Sequence, residues 1–301
     1  MQRLKRFVFL SIFAIMVVVI GFFGVLPVGI AYLYVDNLVA RECGNLPAPL
    51  SQDLPNAEPI TFEPEPGMEL EGWIAAGTND AAIIILPGGW GGSNTMRSEM
   101  RFLNEAGYTV MTYDTRTCAN PPHNTTLGYA EIVDLQAALD LLLLRPEIDP
   151  AKIGVYGHSM GGATAIMAAA GDQRIKAVAV SGNYADIAHD IRRNSNQQGI
   201  VERWLRGWIE RFYEQRTGVN IEDVRPIAVI DQISPRPVLL IHGSEELHNS
   251  RGMEQFAAAQ EPKELWIVQG AGHGGYAAVA PEEYPRRIID FFDRYLVEAH
   301  D

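Results

Sequence analysis

Six short runs rich in Val, Ile, Leu and Ala, at residues 81–86, 109–113, 153–156, 177–180, 238–241 and 265–268, are separated by stretches with helical periodicity. This alternation constrains the fold more than any other feature. Each run is bounded by Gly, Pro or Asp, as strands are, and each is apolar enough to be covered on both faces. The helical stretches at 96–106, 129–144, 160–170, 253–259 and 281–297 supply the cover. Strand, helix, strand repeated in this way predicts an α/β fold with a mostly parallel central sheet and helices on both sides. With 301 residues, 47% of them hydrophobic, there is material for one large domain and an appendage. The segment 183–233 breaks the alternation: it has amphipathic pieces but no strand run, and predicts a helical cap insertion. Trp204 and Trp208, four apart on one helix face, either line a pocket or pack the cap onto the core. Packing is the commoner use of aromatics at that spacing.

Gly157-His158-Ser159-Met160-Gly161 directly follows one apolar run and opens a helical stretch. A bare G-x-S-x-G is weak evidence in a chain with 28 glycines, but its position between strand and helix is informative. A strand-to-helix turn of this kind presents the serine hydroxyl at the carboxyl edge of the sheet, above a helix N-terminus that favours developing negative charge. Ser159 is the candidate nucleophile, the alternative being an idle serine in a tight packing turn.

A serine hydroxyl needs a base to take its proton. His273, in Gly270-Ala271-Gly272-His273-Gly274-Gly275 between the last apolar run and the last helix, is the best placed of seven histidines. His158 lies inside the elbow and is expected to point away from the serine, and His242 to be a structural turn residue. An orienting acid should fall between serine and histidine in chain order. Ile241-His242-Gly243-Ser244-Glu245-Glu246 offers Glu246, preferred, and Glu245, with Asp186 a more remote substitute. Oxyanion donors are backbone N–H groups, one from Met160 after the nucleophile and one from Leu86-Pro87-Gly88-Gly89-Trp90, where Gly89 is preferred and Trp90 held in reserve.

These motifs resemble those of α/β-hydrolases, in particular the serine esterases and peptidases of the dienelactone-hydrolase and prolyl-oligopeptidase-like branch. The likeness runs from about Met68 to the C-terminus. It implies an oxyanion loop after the first of the six runs, an Asp-x-Arg motif at Asp114-Thr115-Arg116, the serine elbow, then an acid and a histidine after the last two runs. Three positions depart from the family pattern: Pro87 replaces a histidine, Thr117 a glycine and Glu246 an aspartate. A glutamate can still orient the histidine but needs room for one more methylene. Dienelactone hydrolases use cysteine, so their substrate does not carry over.

Residues 7–35 contain no charged side chain, which predicts a transmembrane helix able to cross a hydrocarbon core of about 30 Å. Arg3, Lys5 and Arg6 precede the run while Asp36, Arg41 and Glu42 follow it. The positive-inside rule then puts the N-terminus in the cytoplasm and the catalytic domain on the extracytoplasmic side of the cell membrane, held by a single pass. A cleaved signal peptide is the alternative, against which stand the length of the run and the lack of an A-x-A site. The expected organisation is a tip and anchor at 1–41, a Pro-rich linker at 42–67 and the catalytic domain at 68–301. Cys43 and Cys118 are free thiols or one bridge.

An acidic balance, 24 Lys+Arg against 37 Asp+Glu, argues against a nucleic-acid partner. The expected activity is hydrolysis of an ester or related acyl bond through an acyl-serine, carboxylesterase-like, with no metal or organic cofactor. The expected partners are a small-molecule or lipid-like acyl substrate and the membrane that holds the helix. Peptidase, thioesterase, lipase and acyltransferase activities on the same fold remain open, as does a non-catalytic binding protein.

Overall fold

The computed structural model of the chain describes residues 2–40, 43, 50–89, 91–193 and 199–298. The six apolar runs become β3 (Ala82–Leu86), β4 (Thr109–Tyr113), β5 (Ile153–His158), β6 (Ala177–Ser181), β7 (Val238–Gly243) and β8 (Lys263–Val268). Two further strands precede them, β1 (Ala57–Glu65) and β2 (Met68–Ala75). All eight form one sheet in the order β1-β2-β4-β3-β5-β6-β7-β8, antiparallel from β1 to β4 and parallel thereafter.

The apolar runs are continuous because both faces are buried. In β3, Ile84 and Leu86 join a core with Val155, Leu135 and Leu139, while Ile83 and Ile85 join another with Met100, Leu103 and Phe292. The covering helices are α3 (Arg97–Glu105), α4 (Glu131–Leu142), α5 (Met160–Gly171), α9 (Gly252–Ala258) and α11 (Glu283–Phe292), with the short α8 (Leu247–Ser250) and α10 (Tyr276–Val279) beside them. Between β6 and β7, where a cap was expected, lie α6 (Ile187–Arg193), α7 (Ile200–Thr217) and three short 3₁₀ turns.

β1 lies inside the segment expected as a linker, so the sheet begins earlier than the composition suggests. It is an edge strand, where Pro59 and Pro64 cost fewer ladder hydrogen bonds than in a central one. In β2, exposed Glu69 and Glu71 alternate with buried Met68 and Leu70, a half-wet pattern unlike the buried runs. Residues 41, 42 and 44–49 of that segment lie outside the described residues.

The expected transmembrane helix, and with it the single-pass placement at a cell membrane, is corrected by the structure. Among the described residues no helix is long and apolar enough to cross a membrane. The N-terminal run is divided: α1 spans Gln2–Ile20, a π-helical turn follows at Gly21–Val25, and α2 spans Leu26–Val39. Arg3, Lys5 and Arg6 fall within α1, leaving it the uncharged residues 7–20, a rise of about 21 Å at 1.5 Å per residue. That falls short of a hydrocarbon core of about 30 Å. α2 lays Ala31, Val35 and Val39 against Leu127, Met167 and Tyr213. Arg216 of α7 ion-pairs with Asp36 and covers the Tyr32 ring at 5.0 Å. Cys43 and Cys118 are joined in a disulfide, which ties the end of this segment to the loop after β4.

The tryptophans of α7 serve this packing. Trp204 meets Trp208 edge-on, and Trp208 lies against Phe212, whose ring meets Tyr32 of α2.

His242, at the end of β7, is fully buried with Nδ1 3.2 Å from the Ser250 hydroxyl. Burial, with a smaller push from His273 and against the pull of Glu246, lowers its imidazole pKa to about 4. A group that binds its proton less readily when folded stabilises fully above its unfolded pKa, near 6.5, and that contribution drains away as pH falls towards 4. His242→Asn should therefore make the loss of unfolding free energy between pH 6.5 and 4 shallower by about one proton, measured by urea unfolding across that range. An unchanged slope would mean that His242 does not titrate with folding.

Candidate active site

Ser159 directly follows β5 at the N-cap of α5, and its backbone sits at φ 54°, ψ −118°, a conformation that a non-glycine residue adopts only under constraint. The flanking glycines explain the constraint. A Cβ on Gly157 would come within 2.4 Å of the Gly161 carbonyl oxygen, and one on Gly161 within 2.5 Å of the Leu86 and Pro87 carbonyl oxygens. The Ser159 N–H donates to the Ser181 carbonyl at 2.8 Å, and its carbonyl accepts from the N–H groups of Gly162 and Ala163. The hydroxyl thus stands over the N-terminus of α5, where a negative charge is favoured.

His273, in the loop after β8, places Nε2 3.1 Å from Ser159 Oγ and Nδ1 2.6 Å from Glu246 Oε2. Glu246 follows β7 and is 8% exposed. Its Oε1 accepts from the Gly243 N–H at 3.0 Å and from the Tyr276 hydroxyl. Burial pushes its carboxyl pKa up, but the bonds from His273, Gly243 and Tyr276 outweigh that and hold it at about 2. Glu245 is exposed and its N–H donates to the Ala271 carbonyl, so the structure brings Glu246, not Glu245, to the histidine. Asp186 is engaged elsewhere, 3.1 Å from Arg225 and 3.7 Å from Arg251.

The loop after β3 lies over the elbow. A Cβ on Gly88 would stand 3.4 Å from Ser159 Cβ, and one on Gly89 3.6 Å from Met160 Sδ. Gly89 and Met160, the expected oxyanion donors, are therefore neighbours beside the serine, while Trp90 lies outside the described residues. Ser159 and His273 open on a cavity of about 300 Å³ whose walls include Gly182, Tyr184, Asp190 and Asn249. Trp204 and Trp208 are not among its walls.

Two residues of this site have no counterpart in the sequence reading. Tyr276 holds Glu246, and its place three residues after His273 was the available signal. Gly182, at φ 60°, leaves room for the histidine loop: a Cβ there would meet the Tyr276 hydroxyl at 2.2 Å and the His273 ring at 3.1 Å. His158 does not simply turn away from the serine, for its ring lies 5.2 Å from that of His273.

Comparison with known proteins agrees with this architecture. Residues 83–291 match the model of the alpha/beta hydrolase family. The chain is 28% identical over 271 residues to an uncharacterised protein of Pseudomonas aeruginosa, with 71% of this chain and 72% of that protein covered. It is 29% identical over 296 residues to a polyketide transferase of Aspergillus fumigatus, with 80% and 99% covered. Among solved structures, an esterase of Pyrococcus furiosus superposes with a TM-score of 0.67 at 24% identity, covering 86% of this chain and 98% of that one. With more than half of the chain matched to the family model, and the sheet order and elbow in place, the protein belongs to the alpha/beta hydrolase family.

Proposed function

We propose that the protein is a serine hydrolase that cleaves an ester or related acyl bond through an acyl-serine intermediate. The observation that carries this reading is the single imidazole of His273 lying between the Ser159 hydroxyl at 3.1 Å and the Glu246 carboxylate at 2.6 Å. His273 Nε2 takes the Ser159 proton as Oγ forms a bond to the substrate's carbonyl carbon. The carbonyl oxygen becomes an oxyanion, for which the N–H groups of Met160 and Gly89 are the assigned donors. As the tetrahedral centre collapses, His273 gives its proton to the leaving oxygen and the bond to that oxygen breaks. Water then enters, yields a proton to Nε2 and attacks the acyl carbon; as this second tetrahedral centre collapses, His273 returns the proton to Ser159 Oγ, the acyl-oxygen bond to the serine breaks and the acid is released. Glu246 stays ionised throughout, since its carboxyl is held at about 2, and it stabilises the imidazolium formed at each step.

A binding protein without activity has no use for a strained serine in hydrogen-bond reach of a histidine. The polyketide transferase among the relatives favours a second reading, in which an alcohol or amine other than water takes the acyl group. Both readings pass through the same acyl-serine.

A fluorophosphonate probe should label the wild-type protein and leave Ser159→Ala unlabelled. Equal labelling of both proteins, or none of either, would defeat the serine hydrolase reading. On an ester that the wild type turns over, Glu246→Gln should lower kcat by about 10³- to 10⁴-fold, because the amide no longer fixes the histidine tautomer. Glu245→Gln, at an exposed residue that makes no hydrogen bond to the imidazole, whose Nδ1 is taken by Glu246, should stay within about threefold of wild type. The opposite ranking would move the acid to Glu245.

A further inference from the structure

Behind the elbow lies a second cavity of about 280 Å³, which the mechanism above does not use. Its walls include Thr95, Glu99, His158, Gly274, Tyr276 and Tyr284. A continuous line of hydrogen bonds joins two of these walls. The Tyr284 hydroxyl donates to Glu99 Oε1 at 2.9 Å; it also meets the Tyr156 hydroxyl, which lies 2.7 Å from Ser181 Oγ, itself 3.0 Å from His158 Nδ1.

A hydroxyl has one proton to give, so the direction of the line follows from its acidic end. Burial raises the Glu99 carboxyl pKa, against the bond it receives from Tyr284, and the Tyr284 hydroxyl donates to its Oε1, which commits the Tyr284 proton to it. Tyr284 then accepts from Tyr156, Tyr156 from Ser181, and Ser181 from His158. The Nδ1 of His158 must then carry a proton. Burial foremost, then the neighbouring His273, push the His158 imidazole down to about 4, so the ring is neutral and its Nε2 keeps a lone pair. That atom lies on the side of Gly274, where a Cβ would stand 3.7 Å from it, at the wall of the second cavity. The cavity therefore presents two acceptors, the His158 Nε2 and the Glu99 carboxylate.

The cavity lies beside the proton donor of the proposed mechanism. His273 delivers the proton to the leaving oxygen, and the cavity is walled by its chain neighbour Gly274 and by the ring of His158, 5.2 Å from the His273 ring. We propose that the second cavity receives the leaving alcohol, and that His158 Nε2 and Glu99 select alcohols bearing a further hydrogen-bond donor, a hydroxyl or an amine, close to the ester oxygen. Tyr284, Tyr156 and Ser181 are positioning residues that hold His158 in the accepting tautomer. The inference rests on the serine hydrolase reading and assigns the first cavity to the acyl group.

The test compares 2-hydroxyethyl butyrate with propyl butyrate, which have the same acyl group and similar shapes but differ in a terminal hydroxyl. The wild-type kcat/KM should favour the hydroxyethyl ester on the order of tenfold. The ratio should fall to within about twofold in Glu99→Leu and in His158→Phe, and in Tyr284→Phe it should drop part of the way, since the tautomer is then free to exchange. Each ratio is taken within one protein, so a loss of folded enzyme cancels. A ratio near one in the wild type, an unchanged ratio in both Glu99→Leu and His158→Phe, or turnover of neither ester by unlabelled protein of a preparation that reacts with fluorophosphonate in a parallel sample would overturn the subsite and leave the serine hydrolase reading standing. A matching preference for ethyl 4-hydroxybutyrate over ethyl pentanoate would overturn the assignment to the alcohol side. Failure of the fluorophosphonate to label the protein at all would instead strike the reading on which the subsite rests.

Discussion

Ser159 stands at φ 54° because the strand before it and the helix after it meet without a loop, and the rest of the site is arranged around that turn. A non-glycine residue held there costs on the order of 1–3 kcal/mol, so the surroundings must over-determine it. They do so through the backbone. Gly157 and Gly161 let the chain fold back to within contact of itself and of the β3 loop, and the serine's own N–H and carbonyl are both hydrogen-bonded. Because β3, β5 and β6 are adjacent, the loop over the serine, the serine itself and Gly182 converge at one edge of the sheet. His273 has to come from the end of β8, three strands from β5, and it reaches Ser159 over a position that has no side chain.

Which parts of this could be read in the sequence follows from the range of the forces involved. The parallel strands were legible because burial on both faces leaves an unbroken apolar run such as Ile83, Ile84 and Ile85. The order of Ser159, Glu246 and His273 was legible because each follows one of those runs. β1 and β2 were not, since an edge strand tolerates prolines and a half-wet strand reads as charged coil. The disulfide was not either: Cys43 and Cys118 are 75 residues apart, and only the tertiary fold brings them together. The hydroxyl line behind His158 was invisible for the same reason, because its members lie on different strands and helices.

The N-terminal segment shows why apolar composition alone does not specify its surroundings. An uncharged run longer than twenty residues satisfies a hydropathy rule whether lipid or protein meets its side chains. Here the break at Gly21–Val25 shortens each helix, and α2 spends its small apolar face, Ala31, Val35 and Val39, on the Tyr213 and Met167 surface. Phe7, Phe9 and Leu10 of α1 keep their exposure. The contacts of α2 with α7 make the region beside the site a three-part structure of N-terminal helix, inserted helix and the segment around Leu127, held at one end by the Asp36–Arg216 pair. Nothing in the local sequence of either helix announces that pairing; the aromatic spacing on α7 does so only once Tyr32 is seen to meet Phe212.

Two histidines 5.2 Å apart beside one serine would repel each other if both were charged. The fold separates their duties by what it places on Nδ1 of each ring. Glu246, ionised down to about pH 2, receives the Nδ1 proton of His273 and fixes its tautomer. The neutral hydroxyl of Ser181 receives that of His158, and burial holds this ring uncharged above about pH 4. Tyr276 and Tyr284 stack at 6.1 Å and give their hydroxyls to the two acids, Glu246 and Glu99, so the paired rings hold both ends of the arrangement in register. In the proposed mechanism the positive charge that develops on His273 is thereby confined to the line from Ser159 to Glu246. A second imidazole then sits next to it without opposing it, and its lone pair is left for whatever enters from the other side.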